Sequence, residues 1–290
     1  MKRPASRIET LMSRVIGAVQ LVRVETCVQA ALFTLFGAYL GSDQPGFIHP
    51  GTLTAALCVA LTTAASFAIN DWWDHATDAL GHAGRAIPSG RVTRGAALAI
   101  AAAAAAAALA ASASLEPSLR FLVAFNLLVS GVYSIRLKST VLAGNLAIAY
   151  LNASMLLFGG LAVGNLGPRL WPAILLTFLF TLPQEVLYDL RDKSADSATG
   201  MRTTAVGLGS GRTRLLTLGL LALFGAAAVG VTAVSRLPVL YFVTVIVCLG
   251  PMLVRVGSLL RPPLVRARME SAVRTVLAAR FLSLIPLLFI

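Results

Sequence analysis

Carboxylates are costly near a lipid bilayer and tend to mark functional sites there. This chain carries two sets of them at the ends of apolar runs. The first is Asn70-Asp71-Trp72-Trp73-Asp74-His75-Ala76-Thr77-Asp78, and the second is Asp189-Leu190-Arg191-Asp192-Lys193-Ser194-Ala195-Asp196. Both follow Asp-x2-Asp-x3-Asp. At about 100° per helical residue, Asp71, Asp74 and Asp78 share one helix face, as do Asp189, Asp192 and Asp196. Glu185, one turn earlier, extends the second face. Stacked carboxylates repel one another, and divalent cations relieve that repulsion. All-oxygen donors without a His or Cys set favour Mg²⁺ over zinc or copper. Mg²⁺ keeps water and shares its coordination with substrate phosphates, so two facing clusters can hold one diphosphate. Arg23, Arg85, Arg91, Lys138, Arg191, Lys193 and Arg202 are the cations available to balance a departing diphosphate.

The elements that must position these residues are membrane helices. The 290 residues are 57% hydrophobic and 12% charged, with a mean hydropathy of +0.82, which excludes an ordinary soluble domain. About 20 mostly apolar residues span a bilayer. Nine segments qualify: 17–41, 51–72, 95–114, 119–136, 140–163, 170–189, 214–234, 237–254 and 273–290. The expected fold is an all-α bundle of about nine transmembrane helices around a central cavity. It forms a single domain over 1–290, with a polar N-terminal segment at 1–16.

The net charge of +12 comes from basic residues lying between the apolar runs. That pattern indicates membrane topology rather than nucleic acid. Basic residues crowd one set of loops: Arg85, Arg91 and Arg94; Arg136 and Lys138; Arg191 to Arg214; Arg255 to Arg274. The other set holds little beyond Arg120, Arg169 and Arg236. The basic side is expected to be cytoplasmic, with the N-terminus and both acidic sets on it. Arg91, Arg94, Arg136, Arg212 and Arg214 read as topology anchors, and Arg255–Arg274 as a lipid-facing patch. Cys27, Cys58 and Cys248 lie in apolar stretches and read as packed thiols. His75 reads as a satisfied interfacial histidine, and His49 and His82 read as loop residues. Gly207-x-Gly209-x-Gly211 follows no strand and reads as a turn, not a nucleotide loop.

Several motifs together resemble one family. Asn70-Asp71-x2-Asp74-x3-Asp78 followed by Arg85-Ala86-Ile87-Pro88-Ser89-Gly90-Arg91 is similar to the first signature of the UbiA superfamily of intramembrane prenyltransferases. Tyr133-Ser134-x2-Leu137-Lys138 with Gly144-Asn145 resembles its middle element. Glu185-x3-Asp189-x2-Asp192-x3-Asp196-x3-Gly200-x-Arg202-Thr203 resembles its second signature. Arg23 with Glu25 resembles its Arg-x-Asp pair. Gly84-Arg85-Ala86 departs from the usual run by lacking a proline.

The resemblance implies Mg²⁺-dependent transfer of a polyprenyl group from an allylic diphosphate to a lipophilic or aromatic acceptor. Catalytic roles would fall to Asp71, Asp74, Asp189, Asp192, Tyr133 and Lys138. The metal would be held by Asn70, Asp71, Asp74, Asp78, Asp189, Asp192 and Asp196. The diphosphate would meet Arg23, Asn70, Arg85, Lys138, Lys193 and Arg202. The implied partners are these two substrates and membrane lipids, with no nucleic acid and no obligate protein partner. The implied location is a cell membrane, crossed several times, with the active site facing the cytoplasm. A UbiA-type terpene cyclase would use the same diphosphate-ionising site. An ion carrier would need a relay of deep carboxylates, which the spans lack apart from Glu25 and Glu185.

Overall fold

The computed structural model describes residues 7–42, 46–235, 239–282 and 285. Among these, ten α-helices and one 3₁₀ turn account for all regular structure. They are α1 (Arg7–Val22), α2 (Val24–Gly41), α3 (Pro50–Gly81), α4 (Arg94–Ser112), α5 (Pro117–Ile135), α6 (Ala143–Ala162), α7 (Leu170–Ala198), α8 (Thr204–Ser235), α9 (Val239–Leu259) and α10 (Arg266–Leu282). The 3₁₀ turn is Leu137–Ser139. Among the described residues, eight helices, α2 to α9, are long and apolar enough to cross a bilayer. Large apolar side chains such as Leu32, Phe121 and Val247 point outward, as lipid-facing residues do. The chain is a multi-pass integral membrane protein.

Helix ends depart from the apolar runs in ways that matter for chemistry. The first predicted segment is two helices, because Arg23 adopts a left-handed conformation (φ 51°) between α1 and α2. The second and sixth continue helically past their apolar residues, so each acidic set lies wholly on a helix. α3 begins with Pro50 at its first position and His49 capping the Gly51 amide. α7 closes where Gly200 turns left-handed (φ 74°), as glycine does past many helix ends. Gly209 (φ 79°) kinks the run assigned to α8, in line with the turn expected there. Residues 237–238 of the eighth predicted segment, and 283–284 and 286–290 of the ninth, lie outside the described residues. The remainder of the ninth belongs to α10.

The chain forms two compact units. The first comprises residues 1–135 and 155–166, in which α3 packs against α1, α2, α4 and α5. Its core joins Ala55, Cys58 and Val59 of α3 to Ala108, Leu122 and Val123, with Phe158 from the C-terminal half of α6. Where α6 crosses α2 the backbones touch. A Cβ on Gly159 would lie 2.0 Å from the Thr34 carbonyl oxygen, and one on Gly37 would lie 2.1 Å from that of Leu156. Small residues permit such approach between membrane helices. The second unit comprises 136–154 and 167–290. There α7 packs on α8 and α10, and α9 packs on α8 and α10. Phe180 meets Phe224 edge to face at 5.4 Å, and the buried Tyr241 hydroxyl donates to the Ala228 carbonyl.

Candidate active site

In the first unit, Asp71, Asp74 and Asp78 are all buried, on the shared α3 face that their spacing predicts. Burying three carboxylates without partners would be prohibitive, and two arginines answer them. The Arg85 Nη1 lies 2.6 Å from Asp78 Oδ2 and 3.6 Å from Asp71 Oδ1. The Arg23 Nη2 lies 3.4 Å from the same Asp71 oxygen. Asn70 Nδ2 donates to Asp74 Oδ2 at 2.8 Å.

Local structure explains how the arginines arrive. The left-handed backbone at Arg23 breaks the first helix beside Asp71, and the Arg23 guanidinium lies 4.1 Å over the Phe67 ring. Burial pulls this guanidinium below its ordinary value, while Asp71 opposes that pull. Arg85 is delivered by the loop after α3. Ala86 and Val92 of this loop are buried with Leu21, Ala68, Ala97 and Ala101. The Val92 amide donates to the Ala86 carbonyl at 3.0 Å, and the Arg91 side chain bonds the Gly84 carbonyl and Ser89. Arg91 therefore braces the loop. Trp72 packs into the same cluster beneath Arg94, whose guanidinium lies 4.7 Å above its ring. His75 bonds the Trp72 carbonyl oxygen through Nδ1.

In the second unit, Asp189, Asp192 and Asp196 lie along α7, and their partners differ. Asp189 Oδ2 accepts from Asn145 Nδ2 at 3.0 Å and from the Thr204 amide at 3.1 Å. Asp196 Oδ2 accepts from the Thr203 hydroxyl at 3.0 Å. Asp192 is bound by Arg191 through both oxygens, at 2.7 and 2.5 Å, with its side chain 35% exposed. Lys138 lies within electrostatic reach of Asp196, and Asn145 of the middle motif bonds Asp189 of the second acidic motif. Lys193 donates to Ser210 at 2.8 Å, and Arg202 is exposed at the turn before α8. Tyr133 is half-buried at the end of α5, in the first unit. Thr204, fully buried, was not singled out by sequence reasoning. The available signal was its place directly after Arg202-Thr203.

Among the described residues, no three His, Cys, Asp or Glu side chains gather closely enough to enclose an ion by themselves. The donor sets are carboxylates and one side-chain amide, strung along helix faces. That fits Mg²⁺, which takes one or two protein carboxylates and completes its sphere with water and phosphate. Hard-oxygen donors beside arginines suit a phosphorylated ligand.

An all-helical membrane protein with buried aspartates and arginines at its helix ends is the class these features define. The chain belongs to the UbiA prenyltransferase family, whose model matches residues 30–277. A digeranylgeranylglyceryl phosphate synthase from Methanoregula boonei is 37% identical over 207 residues, spanning 69% of this chain and 71% of that one. One from Halobacterium salinarum is 32% identical over 249 residues, spanning 83% and 86%. A UbiA homologue from Archaeoglobus fulgidus, solved bound to DMAPP and Mg²⁺, shares the fold. Its TM-score is 0.70 at 18% identity, over 91% of this chain and 98% of that one.

Proposed function

We propose that this chain is a Mg²⁺-dependent prenyltransferase that joins a polyprenyl group to the hydroxyl of a prenylated glyceryl phosphate. The observation that carries the reading is the buried first acidic set with Arg23 and Arg85 arranged around it. The names of its relatives, digeranylgeranylglyceryl phosphate synthases, support a glyceryl phosphate acceptor. The metal ligands would be Asn70, Asp71, Asp74 and Asp78 in the first unit and Asp189, Asp192 and Asp196 in the second. Mg²⁺, when bound, neutralises charge on the leaving diphosphate.

The protein's own residues do the rest. Arg23, Arg85, Lys138, Lys193 and Arg202 bind diphosphate oxygens, and Tyr133 donates a hydrogen bond to them. The allylic C–O bond breaks and the diphosphate departs with the bonding electrons. The acceptor hydroxyl oxygen then bonds the allylic carbon, and a carboxylate of the second set takes its proton. Apolar helices exclude water from the cation. The basic loops face the cytoplasm, and the whole chain acts as one catalytic domain.

Product analysis tests the acceptor. Purified protein in lipid receives geranylgeranyl diphosphate and Mg²⁺ with geranylgeranylglyceryl phosphate, hydroxybenzoate or no acceptor. A doubly prenylated glyceryl phosphate is the expected product. A prenylated ring alone would move the acceptor class, and a cyclic hydrocarbon formed without acceptor would establish a cyclase.

A further inference from the structure

In the second unit a chain of hydrogen bonds runs through one hydroxyl. The Leu142 amide donates to Thr204 Oγ1 at 2.9 Å. The Thr204 hydroxyl donates to Asn145 Oδ1 at 2.5 Å. Asn145 Nδ2 then donates to Asp189 Oδ2, which also receives the Thr204 backbone amide. With its oxygen engaged by the hydroxyl, the Asn145 amide has one orientation: nitrogen toward Asp189. With two donors on Oδ2, the carboxylate is held in one rotamer.

The same hydroxyl also anchors the segment that carries Lys138. Leu142 is a non-glycine residue in the left-handed region (φ 65°), a conformation that costs energy and persists where surroundings enforce it. Its amide is the one Thr204 accepts. Two residues on, a Cβ at Gly144 would lie 2.8 Å from the Leu137 carbonyl oxygen. The turn from Lys138 to Asn145 is therefore tightly built, and Thr204 ties it to α8.

We propose that Thr204 is a positioning residue: its hydroxyl, acting through Asn145, sets Asp189 for the metal–diphosphate complex and fixes the Lys138 turn. This rests on the reading that the second acidic set binds that complex. Partners of this kind behind a metal ligand are worth about 10–100-fold in metal affinity or activity.

Four variants test it: Thr204→Val, which keeps the shape and loses the hydroxyl, Thr204→Ser, Asn145→Ala and Asp192→Ala. Two quantities are read. One is the Mg²⁺ concentration giving half-maximal diphosphate release. The other, without turnover, is the rise in melting temperature with Mg²⁺ plus inorganic pyrophosphate. Thr204→Val should raise the half-maximal Mg²⁺ about tenfold or more and shrink the ligand-induced rise, while Thr204→Ser restores both. If Thr204→Val does not fold, Asn145→Ala must show the same shift. Wild-type Mg²⁺ dependence in a folded Thr204→Val or Asn145→Ala, with Asp192→Ala inactive, would overturn the role of Thr204. An active Asp192→Ala would instead remove the reading beneath it.

Discussion

Replacing Arg85 by glutamine removes a cation paired with two buried carboxylates, Asp78 and Asp71. Asp78 then loses its 2.6 Å partner, and Asp71 keeps only the 3.4 Å contact to Arg23. Removing one member of a fully buried ion pair costs about 3–5 kcal/mol, whereas exposed pairs contribute about 0–1 kcal/mol. The carboxylates here are 5% and 7% exposed, but the Arg85 side chain is 31% exposed, so water screens the pair in part. An intermediate cost of about 1–3 kcal/mol follows. At about 2–4 °C per kcal/mol for domains of 150–250 residues, the melting temperature should fall by about 2–12 °C. Tryptophan fluorescence in detergent, without Mg²⁺, reads the transition, since Trp72 lies beside the site. The cost arises from the carboxylate left behind, so Arg85→Gln/Asp78→Asn should recover most of the loss. A double variant as unstable as the sum of the two single variants would refute the reasoning. So would an Arg85→Gln protein that melts with the wild type.

Two further outcomes follow from packing and charge. Gly159→Ala would place a Cβ 2.0 Å from the Thr34 carbonyl oxygen. Ordinary contacts need about 3.5 Å, so α6 and α2 must part by about 1.5 Å, at a cost of about 1–3 kcal/mol or more. Gly219→Ala meets open space and should be harmless, so equal folded yields for the two variants would contradict the close crossing. On a background lacking Cys27, Cys58 and Cys248, Gly84→Cys should react with a membrane-impermeant thiol reagent only from the cytoplasmic side, and Ser114→Cys only from the other. The reverse pattern would invert the proposed topology.

Much of this was legible in the sequence because membrane helices are written in long apolar runs. What hydropathy could not give was where helices stop. α3 and α7 run on through polar residues because a helix ends at its turn residues, such as Gly200, and not where its side chains change character. Arg23 breaks the first segment without a glycine or proline to announce it. The face shared by Asp71, Asp74 and Asp78 followed from spacing alone, but their burial did not. That depends on Ala86 and Val92 folding the Arg85 loop back onto α1, α3 and α4. Thr204 escaped notice because its part depends on a left-handed Leu142 sixty-two residues earlier in the chain, a contact no local pattern encodes.

The most direct test of the central claim is Mg²⁺-dependent release of diphosphate from geranylgeranyl diphosphate by wild type, Asp71→Ala and Asp192→Ala, with acceptor present. Release by the wild type alone, abolished by chelator, with both variants folded, is the predicted result. Wild-type rates in either variant, or release that survives chelation, would contradict it.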